Sequence, residues 1–291
     1  MGVKGLSKFL KTRCPSYVGR PLEPGNGFLA VDVPLFLHRY IFSVGPIGLI
    51  RSFDVLRQSM LSMGYRPIWV FDGGKLPLKD GERARRSLAR AAVAETHVLV
   101  GPTRDDLQRV LSFCRQDDVK IAHYEAEALC AYLVHTGYAY AAVTHDTDVF
   151  AYACPRSLLD VSTSVTQGKL IVFDDLLQDL KMTKDTFQKA CVLCGNDFCL
   201  NERNVGPVRA FAMADEKQVN ETVLQIFQSC CYQDKCKEPV LDEAPESLSG
   251  PSETDSPNSL CKLGNPSEFP TSGLPDSTVS NEPFPTGPTS S

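Results

Sequence analysis

The chain has 291 residues, 43% of them hydrophobic, which is enough for one sizeable core with a small appendage. Its formal net charge of −5 is uneven, because residues 241–291 carry eight acids and one base and leave 29 bases and 27 acids in residues 1–240. The start of the chain lacks the apolar run of a signal peptide, and no apolar run approaches the roughly 18–20 residues of a membrane span, so we expect neither secretion nor membrane insertion.

Strand-like and helix-like segments alternate along the first two thirds of the chain. Strands are predicted over residues 28–32, 67–72, 119–122, 139–144 and 169–173, and helices over residues 51–63 and 125–136. This alternation favours an α/β fold with a central, mostly parallel sheet flanked by helices. Ligands of such sheets bind at the carboxyl ends of the strands, where Asp32, Asp72 and Asp146 stand.

After Met182 the pattern becomes helical. Thr183 is predicted to cap a helix that runs to about residue 194, and a turn at residues 204–207 leads into helical sequence to about residue 228. Nine of the 20 prolines lie in residues 245–288 among Ser, Thr and acids, which is typical of disorder. We therefore divide the chain into a core (1–182), a helical element (183–229) and an acidic tail (238–291).

The 11 cysteines lie mostly inside apolar stretches and are interpreted as reduced, buried residues. Cys191, Cys194 and Cys199 have a zinc-like spacing, but the sequence offers no evident fourth ligand nearby.

Seven acids form the main candidate site, and they stand at the ends of predicted strands and helices. They are Asp32, Asp72, Glu125, Glu127, Asp146, Asp148 and Asp197. Carboxylate oxygens are the ligands that Mg²⁺ prefers, and two such ions about 4 Å apart activate a water and stabilise the leaving oxygen of a phosphodiester. Each acid alone has an ordinary explanation as a turn, cap or loop residue, so their shared position carries the prediction.

The same residues give the chain a resemblance to the flap endonuclease/XPG family of structure-specific nucleases, over about residues 1–215. The resemblance rests on the opening Met1-Gly2-Val3-Lys4-Gly5-Leu6, on Val70-Phe71-Asp72-Gly73, on Glu125-Ala126-Glu127-Ala128, on Thr144-His145-Asp146-Thr147-Asp148 and on Gly195-Asn196-Asp197-Phe198. It implies a PIN-like nuclease fold in which all seven acids bind two Mg²⁺ ions, with Mn²⁺ as a substitute. A relative that had lost activity would be expected to lack some of the acids.

The resemblance also assigns basic and substrate-binding residues. Lys79 and Arg86 are similar to the family pair that contacts the scissile phosphate, and Arg90 lies in the same basic run. His38 stands where the family has a ring that stacks on a substrate base, and Gly2 is expected near the site. A histidine at that position is closer to the exonuclease branch than to the flap branch.

The segment around Gly206 is similar to the family's helix–two-turn–helix element, which grips duplex backbone and binds K⁺ through carbonyl groups. It departs from the pattern because Asn204 replaces the usual first glycine, which puts K⁺ binding in question. Only 34 residues separate Arg90 from Glu125, so the helical cap over a threaded 5′ end is expected to be largely missing, and residues 103–113 resemble the helix that follows it. No sliding-clamp motif is found in the sequence.

The resemblance therefore implies a metal-dependent endonuclease that cleaves 5′ flaps or other branched or nicked DNA in replication, repair or recombination. A 5′→3′ exonuclease and a junction resolvase of the same family stay open, as does a non-catalytic DNA-binding module. We expect a monomer that acts on DNA in the nucleus, or in the host nucleus if the chain is viral.

Overall fold

A computed structural model of the chain describes residues 2–74, 79–81, 84–85, 101–201 and 203–229. The strands are β1 (Gly27–Asp32), β2 (Tyr65–Phe71), β3 (Asp118–Ile121), β4 (Ala141–Val143), β5 (Arg156–Leu159) and β6 (Lys169–Val172). The helices are α1 (Leu6–Arg13), α2 (Val33–Ser62), α3 (Arg104–Cys114), α4 (Ala126–His135), α5 (Asp148–Ala151), α6 (Phe173–Leu180), α7 (Lys184–Leu193), α8 (Pro207–Met213) and α9 (Glu221–Gln228). The predicted tail (238–291) lies outside the described residues.

The six strands form one mixed sheet in the order β3-β2-β1-β4-β5-β6, and only the pair β5/β6 is antiparallel. The predicted mostly parallel sheet is therefore confirmed. Strand β1 lies in the middle, with Val31 opposite Trp69 of β2 on one side and opposite Val143 of β4 on the other. The carboxyl ends of β2, β1 and β4 are consequently neighbours at one edge of the sheet.

Side chains alternate between the two faces of the sheet and feed two separate hydrophobic clusters. Ala30, Ile68 and Val70 belong to one cluster, which also receives the helices α1 and α4–α9. Leu29 and Trp69 belong to the other, which is covered by α2 and α3. Helices on both faces bury the sheet, as the alternation of strands and helices in the sequence predicted.

Helix α2 is much longer than the predicted helix over residues 51–63. It begins at Val33 and is interrupted at Gly45, whose φ of 68° is non-helical, next to Pro46. These helix-breaking residues concealed its first half in the sequence. By length and composition alone, α2 is long and apolar enough to cross a membrane, which the sequence analysis did not predict. Buried core helices meet the same two criteria. Its buried side chains, such as Phe36 and Phe53, pack in the core of the sheet.

Strand β5 was not predicted, since four residues starting with Arg156 and Ser157 give too short an apolar run. Its pairing with β4 and β6 makes it a strand. The region after Met182 is helical as predicted, and the hydroxyl of Thr183 caps α7 by accepting from the amide of Thr186 at 3.2 Å. The helical sequence up to residue 228 consists of the two separate helices α8 and α9.

Candidate active site

Three of the predicted acids stand where adjacent parallel strands end. Asp32 is the last residue of β1, Asp72 follows β2 directly, and Asp146 lies in the loop after β4. Thr144, which is fully buried, joins two of them, because its hydroxyl donates to Asp32 Oδ2 at 2.9 Å and accepts from the amide of Asp146 at 3.1 Å. The sheet order therefore places at one edge acids that are more than 100 residues apart in sequence.

Asp72 is held at the N-terminus of α4, the helix that carries the two glutamates. Its Oδ1 accepts from the amide of Ala126 at 2.9 Å, while Glu125 is the N-cap residue and Glu127 lies in the first turn. The amide of Gly73 donates to the carbonyl of Tyr124 at 2.9 Å, and a Cβ at Gly73 would clash with a neighbouring backbone carbonyl, so glycine is required for this close approach.

The start of the chain is built into the same edge. The amide of Val3 donates to Asp148 Oδ1, and the amide of Asp148 donates to Asp146 Oδ1 at 3.1 Å. Gly2 has a φ of 87°, and a Cβ at this position would clash with the carboxylates of Asp146 and Asp148. Gly2 thus lies beside the predicted acids, as the sequence suggested, although its expected contact with DNA stays a prediction.

Asp197 is positioned by a turn that its neighbour Asn196 organises. The side-chain Oδ1 of Asn196 accepts from the amides of Phe198 at 2.9 Å and Cys199 at 3.1 Å. The carbonyl of Gly195 accepts from the amide of Lys4 at 2.9 Å. The N-terminal segment therefore connects the loop of Asp197 with the loop of Asp148.

Lys79 is the one member of the predicted basic pair that the structure describes. The residue is only 8% exposed, and its ammonium pairs with Glu125 and lies 3.6 Å from Asp197 Oδ2. The ammonium also stands 4.5 Å above the ring of Phe198, in cation–π contact. Arg86 and Arg90 lie outside the described residues, so their predicted roles stay predictions.

The carboxylates strongly perturb one another. Burial, followed by the charges of Asp72 and Asp146, raises the pKa of Asp32 to about 7, and burial followed by the charge of Asp146 raises the pKa of Asp148 to about 8. Burial and then the charge of Asp146 also hold the pKa of Glu127 well above its usual value. Mutual repulsion of this kind is relieved by cations.

The same carboxylates stabilise the charge of Lys79. Burial lowers the pKa of its ammonium, but the carboxylates of Glu125, Glu127 and Asp197 outweigh burial and raise the pKa above its usual value. The lysine therefore stays charged and serves as an internal counter-ion of the acids.

Within the described residues, no three Asp, Glu, His or Cys side chains form a preformed cage for a metal ion. Several carboxylate oxygens of the acids already have protein partners. Lys79 pairs with Glu125, and the amide of Val3 donates to Asp148. The donor chemistry nevertheless fits a hard divalent cation, since buried carboxylates with raised pKa values converge from adjacent strand ends. Small rotations about side-chain bonds would exchange these protein donors for a cation.

The remaining predicted residues lie on nearby surfaces. His38 is exposed on α2, and Gly206 is exposed as the N-cap residue of α8. Asn204, which replaces the family's glycine, has a φ of 65°, a left-handed conformation that asparagine tolerates better than most residues. Its carbonyl accepts from Arg209 at 3.0 Å, and that of Val205 accepts from Asn201 at 2.9 Å.

An open cavity of about 540 Å³ adjoins the acids on the side of α1 and β6. Asp146 and His145 line it together with Lys11 and Lys169. Neither this cavity nor the roles of Thr144, Asn196 and the Val3 amide were predicted. Thr144 and Asn196 lie in the same sequence motifs as Asp146 and Asp197. This adjacency was the one signal in the sequence that could have predicted their roles.

Two family profiles match parts of the chain. Residues 1–93 match the profile of the XPG N-terminal domain, and residues 118–197 match that of the XPG I-region. Flap endonuclease 1 of Micromonas commoda is 28% identical over 285 residues, which cover 84% of this chain and 72% of that protein.

Solved structures of low sequence identity share the fold. The catalytic core of Rad2 in complex with DNA substrate matches with a TM-score of 0.59 and 23% identity, over 74% of this chain and 69% of that one. The Holliday junction-resolving enzyme GEN1 in complex with product DNA and Mg²⁺ matches with a TM-score of 0.54 and 19% identity, over 79% of this chain and 56% of that one.

Proposed function

The chain belongs to the flap endonuclease/XPG family of structure-specific nucleases, and we propose that it cleaves 5′ flaps and other branched or nicked DNA by two-metal hydrolysis of a phosphodiester bond. The observation that carries this proposal is the meeting of Asp32, Asp72 and Asp146 at the ends of three adjacent strands, together with the raised pKa values of the buried Asp32 and Asp148. Such repulsion costs stability, which is expected at a functional site.

The seven acids would hold the ions, and bound divalent ions supply Lewis acidity to the attacking and leaving oxygens. Asp32 and Asp72 stand at the ends of β1 and β2, Glu125 and Glu127 stand at the start of α4, and Asp146 and Asp148 follow β4. Asp197 closes the proposed site from the loop after α7. Carboxylates repel phosphate, so these acids would serve the reaction by holding cations and not by direct contact with the scissile phosphate.

Lys79 supplies the positive charge that the phosphate needs. In the free chain its ammonium is shared between Glu125 and Asp197. Once freed from these ion pairs, the ammonium would stabilise the negative charge that builds up on the phosphate in the transition state, together with Arg86. Arg90, His38, Gly2 and Gly206 are proposed to contact the DNA, mostly its backbone, so binding should weaken with salt.

Magnesium is the proposed physiological ion, and Mn²⁺ is proposed to substitute for it. The oxygen-only donor set supports this choice, and a GEN1 structure that shares the fold holds Mg²⁺. A K⁺ site at the turn before α8 is part of the same proposal. It is supported by the left-handed Asn204, which lets the backbone turn as a glycine would. A K⁺ ion there would compete with Arg209 for the carbonyl of Asn204.

Two further activities of the family are retained as alternatives. The exposed His38 favours a 5′→3′ exonuclease, and the short segment before Glu125 favours action on junctions without a free 5′ end. A nuclear location follows from the proposed DNA substrate, and the chain is separately proposed to act as a monomer.

The test is cleavage of end-labelled DNA with Mg²⁺, comparing 5′-flap, blocked-flap, nicked and four-way-junction substrates. The variants are Asp146→Asn at the site and Asp174→Asn, which changes an exposed acid at the start of α6. We expect the wild type and Asp174→Asn to cut near the junction, and Asp146→Asn to bind the DNA without cutting it. Products released stepwise from the 5′ end would favour the exonuclease. Equal cutting by all three proteins would refute the carboxylate mechanism, and cutting by none would favour a non-catalytic DNA-binding module.

A further inference from the structure

A buried tyrosine stands directly behind one of the proposed metal ligands. Tyr152 follows α5 and is 2% exposed, and its hydroxyl donates to Glu125 Oε2 at 3.1 Å. Its backbone amide donates to the carbonyl of Asp148, the first residue of α5, at 3.2 Å. Tyr152 therefore connects two of the acids that the sheet edge brings together.

The two oxygens of Glu125 have different partners. Oε2 accepts from Tyr152, whereas Oε1 pairs with the ammonium of Lys79. The tyrosine thus holds one carboxylate oxygen of Glu125 and leaves the other oxygen to pair with a positive charge.

The tyrosine ring is itself held in place by the last described helix. Phe227 of α9 is fully buried, and its ring packs edge-on against Tyr152 with centroids 5.4 Å apart. Gln188 of α7 connects the backbone on either side of this ring contact. Its Nε2 donates to the carbonyl of Ala151, the residue before Tyr152, at 2.9 Å and to the carbonyl of Phe227 at 3.1 Å.

Phe227 also supports the other partner of Glu125. Its ring packs against Phe198 with centroids 5.8 Å apart, and Lys79 lies over Phe198. Phe227 of α9 therefore packs against both aromatic rings that contact the ion pair: Tyr152, which donates to Glu125, and Phe198, which lies under Lys79. This connection gives the terminal helix a role beyond filling the core.

We propose that Tyr152, supported by Phe227, is a positioning residue that orients the carboxylate of Glu125 for a divalent cation. A glutamate has several rotatable side-chain bonds, and a rigid donor that holds one oxygen removes most of that freedom before the cation arrives. Partners that orient a ligand in this way typically contribute roughly 10- to 100-fold to metal affinity. The proposal rests on the proposed function, since it requires Glu125 to bind a cation.

The test is the affinity for Mn²⁺, measured by electron paramagnetic resonance without DNA, so that the readout does not depend on cleavage. The variants are Tyr152→Phe, Glu125→Gln and the double variant. Tyr17→Phe is the matched control, because Tyr17 is a buried tyrosine whose hydroxyl meets Ser7 instead of an acid. We expect Tyr152→Phe to weaken binding about tenfold, Tyr17→Phe to leave it unchanged, and Tyr152→Phe to add nothing once Glu125 is changed.

Cleavage supplies a second readout. Tyr152→Phe should raise the Mg²⁺ concentration needed for half-maximal cleavage, while saturating Mg²⁺ restores the wild-type rate. Phe227→Leu keeps the hydroxyl and loosens its support, so it should shift the Mg²⁺ requirement in the same direction even if Tyr152→Phe does not fold.

The outcomes separate the two proposals. A wild-type chain that binds no Mn²⁺ would overturn the proposed metal site, and the role of Tyr152 with it. Binding that Glu125→Gln weakens but Tyr152→Phe leaves intact would overturn the positioning role alone. An equal loss from Tyr152→Phe with and without Glu125 would likewise show a general structural effect and reject the proposal.

Discussion

Replacing Asp148 with asparagine should stabilise the metal-free protein at high pH. The carboxyl of Asp148 is 1% exposed, and its pKa is raised from 3.8 to about 8 by burial, followed by the charge of Asp146. Between these two values the folded chain binds a proton that the unfolded chain has lost. The free energy of unfolding therefore falls as the pH rises from about 4 to about 8, and the asparagine variant lacks this loss.

The magnitude follows from the pKa difference. A difference of about four units corresponds to an upper limit of about 5 to 6 kcal/mol at pH 8, at 1.36 kcal/mol per unit. Asp146 and Glu127 titrate together with Asp148 and share its protons, so a single substitution recovers part of that limit. We expect a gain of about 2 kcal/mol at pH 8 and little change near pH 4. The asparagine carbonyl can still accept from the amide of Val3.

Urea denaturation in EDTA at pH 4.5 and pH 8 measures this effect, with the exposed Asp174→Asn as the control. Added Mg²⁺ should stabilise the wild type at pH 8 and stabilise Asp148→Asn much less, because a cation binds the folded acids more tightly than the unfolded chain. A destabilised Asp148→Asn at pH 8, or a gain equal to that of Asp174→Asn, would refute the idea that like-charge repulsion strains this edge of the sheet.

Two other substitutions examine neighbours of the acids. Gly2→Ala should weaken both Mn²⁺ binding and cleavage, because the new Cβ would displace Asp148. Gly137→Ala is its control, since Gly137 has a similar φ of 74° but open space where the new Cβ would lie. Equal effects of both alanines on Mn²⁺ affinity would point to backbone strain instead. Lys79→Met should tighten Mn²⁺ binding measured by calorimetry, since its ammonium no longer competes for Glu125, yet slow single-turnover cleavage on the order of 100-fold. Weaker Mn²⁺ binding by this variant would contradict the counter-ion role.

Sequence patterns alone located the pieces of the sheet that matter most. Strands β1 and β2 were predicted because each is a short apolar run that ends at an acid, a signal contained within a few neighbouring residues. The start of α4 was predicted for the same reason, since Glu125 and Glu127 begin a helix with regular apolar spacing. Short or interrupted elements, such as β5 and the first half of α2, were missed because their local signal is weak.

The tertiary structure decided which of these pieces meet. The sequence cannot state that β1 lies between β2 and β4, and this order is what brings Asp32 next to the loop of Asp146. The contact of Val3 with Asp148 and the support of Tyr152 by Phe227 join residues separated by 145 and 75 positions. Local sequence determines where each acid stands along its own element. Only long-range packing of the two cores determines the partner that each acid faces, because that choice depends on burial contributed by the whole chain.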